Sequence, residues 1–116
     1  KWAIDQGITI ISTDKFYEIG MQETIKIIKD ILGDTATYFT FDIDGIDPTF
    51  APGTGTPEVG GINVREAQLI IRQLNSLNFI GADVVEVSPP FDVNNMTSLV
   101  GATIAFEILC TMTKTN

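Results

Sequence analysis

A chain of 116 residues with 44% hydrophobic content has the size of one domain and the apolar content of an ordinary globular core. Its net charge of −8, with seven basic residues spread along the whole length, argues against nucleic acid as a partner, because phosphate backbones are bound by clustered Lys and Arg. No uninterrupted apolar stretch approaches a membrane span, and the lone Cys110 rules out an internal disulfide framework, so the expectation is a cytoplasmic protein without a membrane partner.

Lys1-Trp2-Ala3-Ile4-Asp5-Gln6-Gly7 reads as the last turn of a helix closed by a glycine C-cap. The chain opens without Met and without a signal-peptide pattern, so residues 1–116 are expected to be the C-terminal part of a longer protein. The β-branched run Ile8 to Ser12 predicts a buried strand, followed by a polar segment with Asp14 and Lys15. Ile25, Ile27, Ile28, Ile31 and Leu32 recur near helical spacing between Met21 and Leu32, and Gly33 stops that helix. Ala36 to Phe41 predicts a second strand, which runs directly into three aspartates: Asp42, Asp44 and Asp47.

Pro48 to Gly61 is a loop holding Pro48, Pro52 and Pro57 with Gly53, Gly55, Gly60 and Gly61, a composition suited to a stiff, shaped turn system. Asn63 and Glu66 have the spacing of a capping box, and the helix they open runs to about Leu77, with Ala67, Leu69, Ile70, Ile71 and Leu74 as its apolar face. Ile80 to Val87 predicts a third strand, broken by Ser88-Pro89-Pro90-Phe91-Asp92. Ser98 to Thr113 closes the chain as an apolar helix containing Val100, Ile104, Phe106, Ile108 and Leu109, with Cys110 in a packing role. Strands alternating with helices imply the α/β class, a three-layer α/β/α arrangement around a mainly parallel sheet.

Ligands in such sheets sit at the carboxyl ends of strands, where Asp42, Asp44 and Glu86 fall. In a strand, Asp42 and Asp44 would point to one face. A buried, ionised carboxylate costs several kcal/mol unless a cation compensates it, so a metal is the natural partner. Valines 84, 85 and 87 around Glu86 predict its burial too. A bland alternative makes the two aspartates turn caps before Pro48. An EF-hand fails, because its sixth and twelfth positions, counted from Asp42, hold Asp47 and Gly53 instead of Gly and Glu. Asp-x-Asp-Gly after an apolar strand also resembles the haloacid-dehalogenase phosphohydrolases, which use the first Asp as nucleophile. That family usually has Thr where Ile46 stands.

The whole stretch from Thr40 through Asp42-Ile43-Asp44-Gly45-Ile46-Asp47-Pro48 and Gly53-Thr54-Gly55-Thr56-Pro57 to Gly61 closely resembles the signature of the ureohydrolases, the arginase and agmatinase family. The family's usual Ser is replaced by Thr40, also a small hydroxyl residue. The resemblance continues through Gly81-Ala82-Asp83-Val84-Val85-Glu86-Val87-Ser88-Pro89-Pro90-Phe91-Asp92, and its details look nearest to the agmatinase, guanidinobutyrase and guanidinopropionase branch.

This resemblance implies an arginase-like fold and hydrolysis of a small guanidino compound, such as agmatine or guanidinobutyrate, to urea and an amine by a hydroxide shared between two Mn²⁺ ions. It implies that Asp42 bridges the metals, Asp44 ligates one of them, Glu86 receives the guanidinium and Thr56 contacts substrate. Asp47 is read as structural, capping the Pro48 turn or pairing with Arg65, and Asp83 and Asp92 are also read as structural. Phe91 belongs either to the pocket mouth or to the core. The family's general acid and further ligands lie on His-containing motifs, and this sequence has no histidine, so no catalytic residue is assigned and the chain alone is expected to be inactive. The resemblance also implies a homo-oligomer, since members of that family are usually homo-oligomers, often trimers or hexamers. A competing reading is a catalytically incomplete binding or assembly module that keeps the fold.

Overall fold

Two parallel strands, β1 (Thr37–Asp42) and β2 (Phe79–Val85), lie side by side, joined by a crossover that contains α4 (Val64–Gln73). The computed structural model describes residues 2–113. Before β1 come α1 (Trp2–Asp5), α2 (Thr13–Ile19) and α3 (Met21–Leu32), and after β2 comes α5 (Met96–Thr113). The register sets Thr40 beside Asp83 and Asp42 beside Val85, so both strands reach the same edge.

Alternation along β1 turns Phe39 and Phe41 toward the core, with Ala82 and Val84 of β2, and leaves Tyr38, Thr40 and Asp42 exposed. One extra residue, Ile80, interrupts the register between the Thr37–Phe79 and Tyr38–Gly81 pairs. That bulge lets Phe79 and Ala82 both face inward, with the Phe79 ring 5.4 Å from that of Phe39. The main core joins Ile43, Ile46 and Ala51 to Ala67 and Ile71 of α4 and to Ile104 and Ile108 of α5. A smaller cluster holds α3 against the end of α4 through Ile25, Leu74 and Leu77.

The predicted capping box at the start of α4 is present in both directions: the Asn63 side chain accepts from the Glu66 N–H at 2.8 Å, and the Glu66 carboxylate accepts from the Asn63 N–H at 2.8 Å. The opening turn also ends as expected, with Gly7 N–H donating to the Ile4 carbonyl and Ile8 N–H to that of Ala3. By length and composition alone, the segment Val93–Thr113 is apolar enough to cross a membrane. Here α5 packs on β2 and α4, and its Glu107 receives Arg72 of α4.

Several local expectations are corrected. Ile8 to Ser12 forms no strand, because a strand needs a hydrogen-bonding neighbour and β1 and β2 pair only with each other among the described residues; Ile8 and Ile10 are exposed. The polar segment after it is helix α2, capped by the Ser12 hydroxyl, which accepts from the Lys15 N–H at 3.2 Å, and anchored by buried Phe16. The α4 helix stops at Gln73 instead of Leu77, and β2 ends at Val85, which leaves Glu86 and Val87 beyond the strand. The parallel α/β arrangement is as expected, and these residues supply two of its strands.

Candidate functional site

Asp42 closes β1 at its carboxyl end, and there the backbone leaves the strand for a 3-10 turn, Ile43–Gly45. The alternation that would align Asp42 and Asp44 on one strand face therefore does not apply. The turn itself joins them: the Asp42 carboxylate accepts from the Asp44 N–H at 3.2 Å. Ile43, between them, is fully buried and anchors the turn in the core.

The Pro48–Gly61 loop is stitched down on every side. Asp47 accepts from the Thr49 N–H at 2.8 Å, from the Thr49 hydroxyl and from the Gly60 N–H at 2.8 Å, so one carboxylate ties both ends of the loop. These hydrogen bonds, led by the Thr49 hydroxyl, hold its pKa below the usual carboxylate range. The predicted turn-capping role of Asp47 is thus present, and its alternative partner Arg65 is not used. Gly61 permits the loop to return: a Cβ there would sit 2.6 Å from the Asp47 nitrogen and 2.7 Å from the Gly45 oxygen. At the other side, Gly53 N–H donates to the Thr97 hydroxyl at 2.8 Å and its carbonyl accepts from Ser88 N–H at 2.8 Å. Asp92 is structural as expected, accepting from Thr97 N–H, Ser98 N–H and the Ser98 hydroxyl to cap the start of α5.

This frame carries Thr56 back over the 3-10 turn, where its hydroxyl donates to Asp44 Oδ2 at 2.6 Å. Asp42, Asp44 and Thr56 are therefore one hydrogen-bonded group. The Asp42 carboxyl is pushed above its ordinary pKa, first by partial desolvation and then by the negative charges of Asp44 and Glu86, against the opposing pull of the Asp44 N–H. The ion pairs of the described residues, Lys15–Glu18, Lys26–Glu23 and Arg72–Glu107, all lie elsewhere.

Glu86 stands just past the end of β2, close enough to Asp42 for their charges to repel. Its predicted burial is not found. Glu86 is exposed and has φ 65°, a left-handed conformation that a non-glycine residue holds at a cost of about 1–3 kcal/mol. The kink lifts the carboxylate out of the strand and toward solvent. Phe91 is also exposed, which removes its core alternative, whereas Cys110 is half-buried on α5. Asp83 accepts from the Tyr38 hydroxyl at 3.0 Å on the sheet face away from α5's core contacts, and its other oxygen is buried without a partner.

Two carboxylates that repel one another and have no basic neighbour offer hard oxygen donors suited to a divalent cation such as Mn²⁺. They fit as part of a centre. Among the described residues no three Asp, Glu, His or Cys side chains gather closely enough to hold an ion by themselves, so Glu86 does not complete a ligand set. Sequence patterns also miss a groove of about 380 Å³ in which Asp44 is joined by Asp14 and Tyr17 of α2 and by Glu58. The Tyr17 hydroxyl donates to Glu66 at 3.2 Å, and burial followed by that contact raises its pKa. The Ser12 cap, three residues before Lys15, is the signal that would have revealed α2.

With this geometry in view, comparisons with known proteins agree on one family. The model described as the Arginase family matches residues 1–111. The guanidinopropionase of Pseudomonas aeruginosa is 50% identical over 109 residues, covering 94% of this chain and 34% of that protein. The agmatinase of Photorhabdus laumondii is 46% identical over 105 residues, covering 90% and 34%. Among solved structures, the proclavaminate amidino hydrolase of Streptomyces clavuligerus superposes with a TM-score of 0.96 at 36% identity, over 99% of this chain and 39% of that one. The chain spans about a third of the length of the curated relatives it matches. On sequence and fold alike, this chain belongs to the arginase family.

Proposed function

We propose that the protein hydrolyses a small guanidino compound to urea and an amine, with residues 1–116 supplying part of a dimanganese site and the guanidinium-binding carboxylate. The observation that carries this reading is the hydrogen-bonded Asp42–Asp44–Thr56 group, crowded by Glu86 and free of ion pairs, at the carboxyl edge of two parallel strands. Asp42 and Asp44 would hold the metal. When bound, two divalent ions polarise the substrate and lower the pKa of a coordinated water toward neutrality. Glu86 would orient the substrate, since a carboxylate matches the planar, multiply protonated guanidinium fork and its exposure leaves both oxygens available.

The chain contains no histidine and no three-ligand group among its described residues. Its remaining donors and its general acid therefore come from the rest of a longer polypeptide, and residues 1–116 alone are inactive in this reading. The complete protein is cytoplasmic and homo-oligomeric. Relatives named guanidinopropionase, guanidinobutyrase and agmatinase point to substrates that share one head group and differ in the tail. The test is urea release and Mn²⁺ stoichiometry with the intact protein over agmatine, guanidinobutyrate and guanidinopropionate. Urea from at least one of them is expected. An intact, Mn²⁺-loaded protein that releases none would end the proposal, and robust turnover by residues 1–116 alone would end the assignment of missing groups elsewhere.

A further inference from the structure

Thr56 lies on a loop fixed on both sides of it. Upstream, Gly53 is bound to Thr97 and Ser88, and Thr54 bridges to Val87; downstream, Gly60 is bound to Asp47. The intervening turn holds the Thr56 hydroxyl at 2.6 Å from Asp44 Oδ2, a short, charge-assisted hydrogen bond between residues 12 apart. The hydroxyl proton is thereby committed to Asp44. Only the lone pairs of the hydroxyl oxygen remain to meet a substrate. A carboxylate has about four lone-pair sites, so one donor on Oδ2 leaves Oδ1 open.

Asp44 has no core packing to lock it, since it lines an open groove. Its backbone is set by the 3-10 turn and by the bond from its N–H to Asp42. Its carboxylate orientation is set from outside the turn, by Thr56. We propose that Thr56 is a positioning residue: it orients the Asp44 carboxylate for metal ligation, a role distinct from the substrate contact that the family resemblance implies. The proposal rests on the metal role of Asp44 given above. Outer partners of this kind fix a ligand's geometry, and their loss typically weakens metal binding 10–100-fold.

The two roles separate in the intact protein by titrating Mn²⁺ and following the free ion by electron paramagnetic resonance, without substrate. Thr56→Val keeps the shape and removes the donor, whereas Thr56→Ser keeps the donor. Because Thr56 is exposed, both variants are expected to melt like wild type. Thr56→Val should bind Mn²⁺ about 10–100-fold more weakly, and Thr56→Ser should bind like wild type. At saturating Mn²⁺, the Val variant should recover kcat with little change in KM. Unchanged Mn²⁺ affinity in Thr56→Val together with a raised KM would overturn the positioning role and leave a substrate contact. If wild type and Asp42→Asn both failed to bind Mn²⁺, the metal reading itself would fall, and this inference with it.

Discussion

Carboxylates are treated in opposite ways in two regions of this molecule. At the strand edge, Asp42 stands beside Asp44 and Glu86 without a basic partner, and its pKa is raised. Between α4 and α5, Glu107 is buried against Arg72, which donates through both Nε, at 2.8 Å, and a terminal nitrogen, while Gln68 adds a contact at 3.3 Å. The Arg72 hydrogen bond is the main reason the Glu107 pKa is lowered. Asp47 and Asp92 belong with Glu107, each saturated by donors from its own loop or helix start. At the strand edge the repulsion that Asp42 feels from Asp44 and Glu86 is answered by no basic side chain among the described residues, the reverse of the arrangement at Glu107.

The contrast breaks most sharply at Asp42. In the intact protein Asp42→Asn should lose Mn²⁺ and lower turnover by roughly three orders of magnitude, the several kcal/mol a metal gives a transition state. The metal-free form should be no less stable, because one of three repelling charges is gone. Retained metal stoichiometry would count against the edge as a metal site. Glu86→Gln comes next. It should keep the metal and lower kcat/KM by about 10–100-fold, the worth of a charged hydrogen bond to the guanidinium. Wild-type kinetics would remove Glu86 from substrate binding.

Gly61→Ala tests whether the loop frame sustains the site. Its Cβ would meet backbone at 2.6 Å, so about 1–3 kcal/mol of stability should be lost in denaturant melts, with weakened Mn²⁺ binding alongside. An unchanged melt would show that the loop can shift without strain.

The smallest effect is expected at Glu107, where a lowered pKa stabilises the fold above the ordinary glutamate range and the contribution fades as pH falls through the folded value. Glu107→Gln should therefore cost a few degrees of Tm near neutrality and less in acid. A loss that grew as pH fell would contradict this sign.

Much of the edge was legible in the one-dimensional pattern, because its parts are neighbours along the chain. Asp42, Asp44, Asp47 and the Pro/Gly loop lie within twenty residues, and the Asn63–Glu66 box depends on nothing beyond one helical turn. What was not legible depends on distant partners. Ile8 to Ser12 has strand composition, yet a strand exists only where another backbone pairs with it, and none does among the described residues. The Arg72–Glu107 pair joins helices across 35 positions, and Thr56 reaches Asp44 across 12.

By itself, the sequence determined the chemistry available to this protein: two aspartates and a glutamate at strand ends, a stiffened loop, and membership of a family recognisable by spacing. These are properties of side-chain type and local backbone preference. Only the tertiary structure decided how those groups are aimed. The 3-10 turn replaced strand alternation as the link between Asp42 and Asp44, the left-handed Glu86 brought its carboxylate into solvent, and the anchored loop gave Asp44 its hydrogen-bond donor. Orientation comes from contacts between segments remote in sequence, whose closure is set by packing and not by composition.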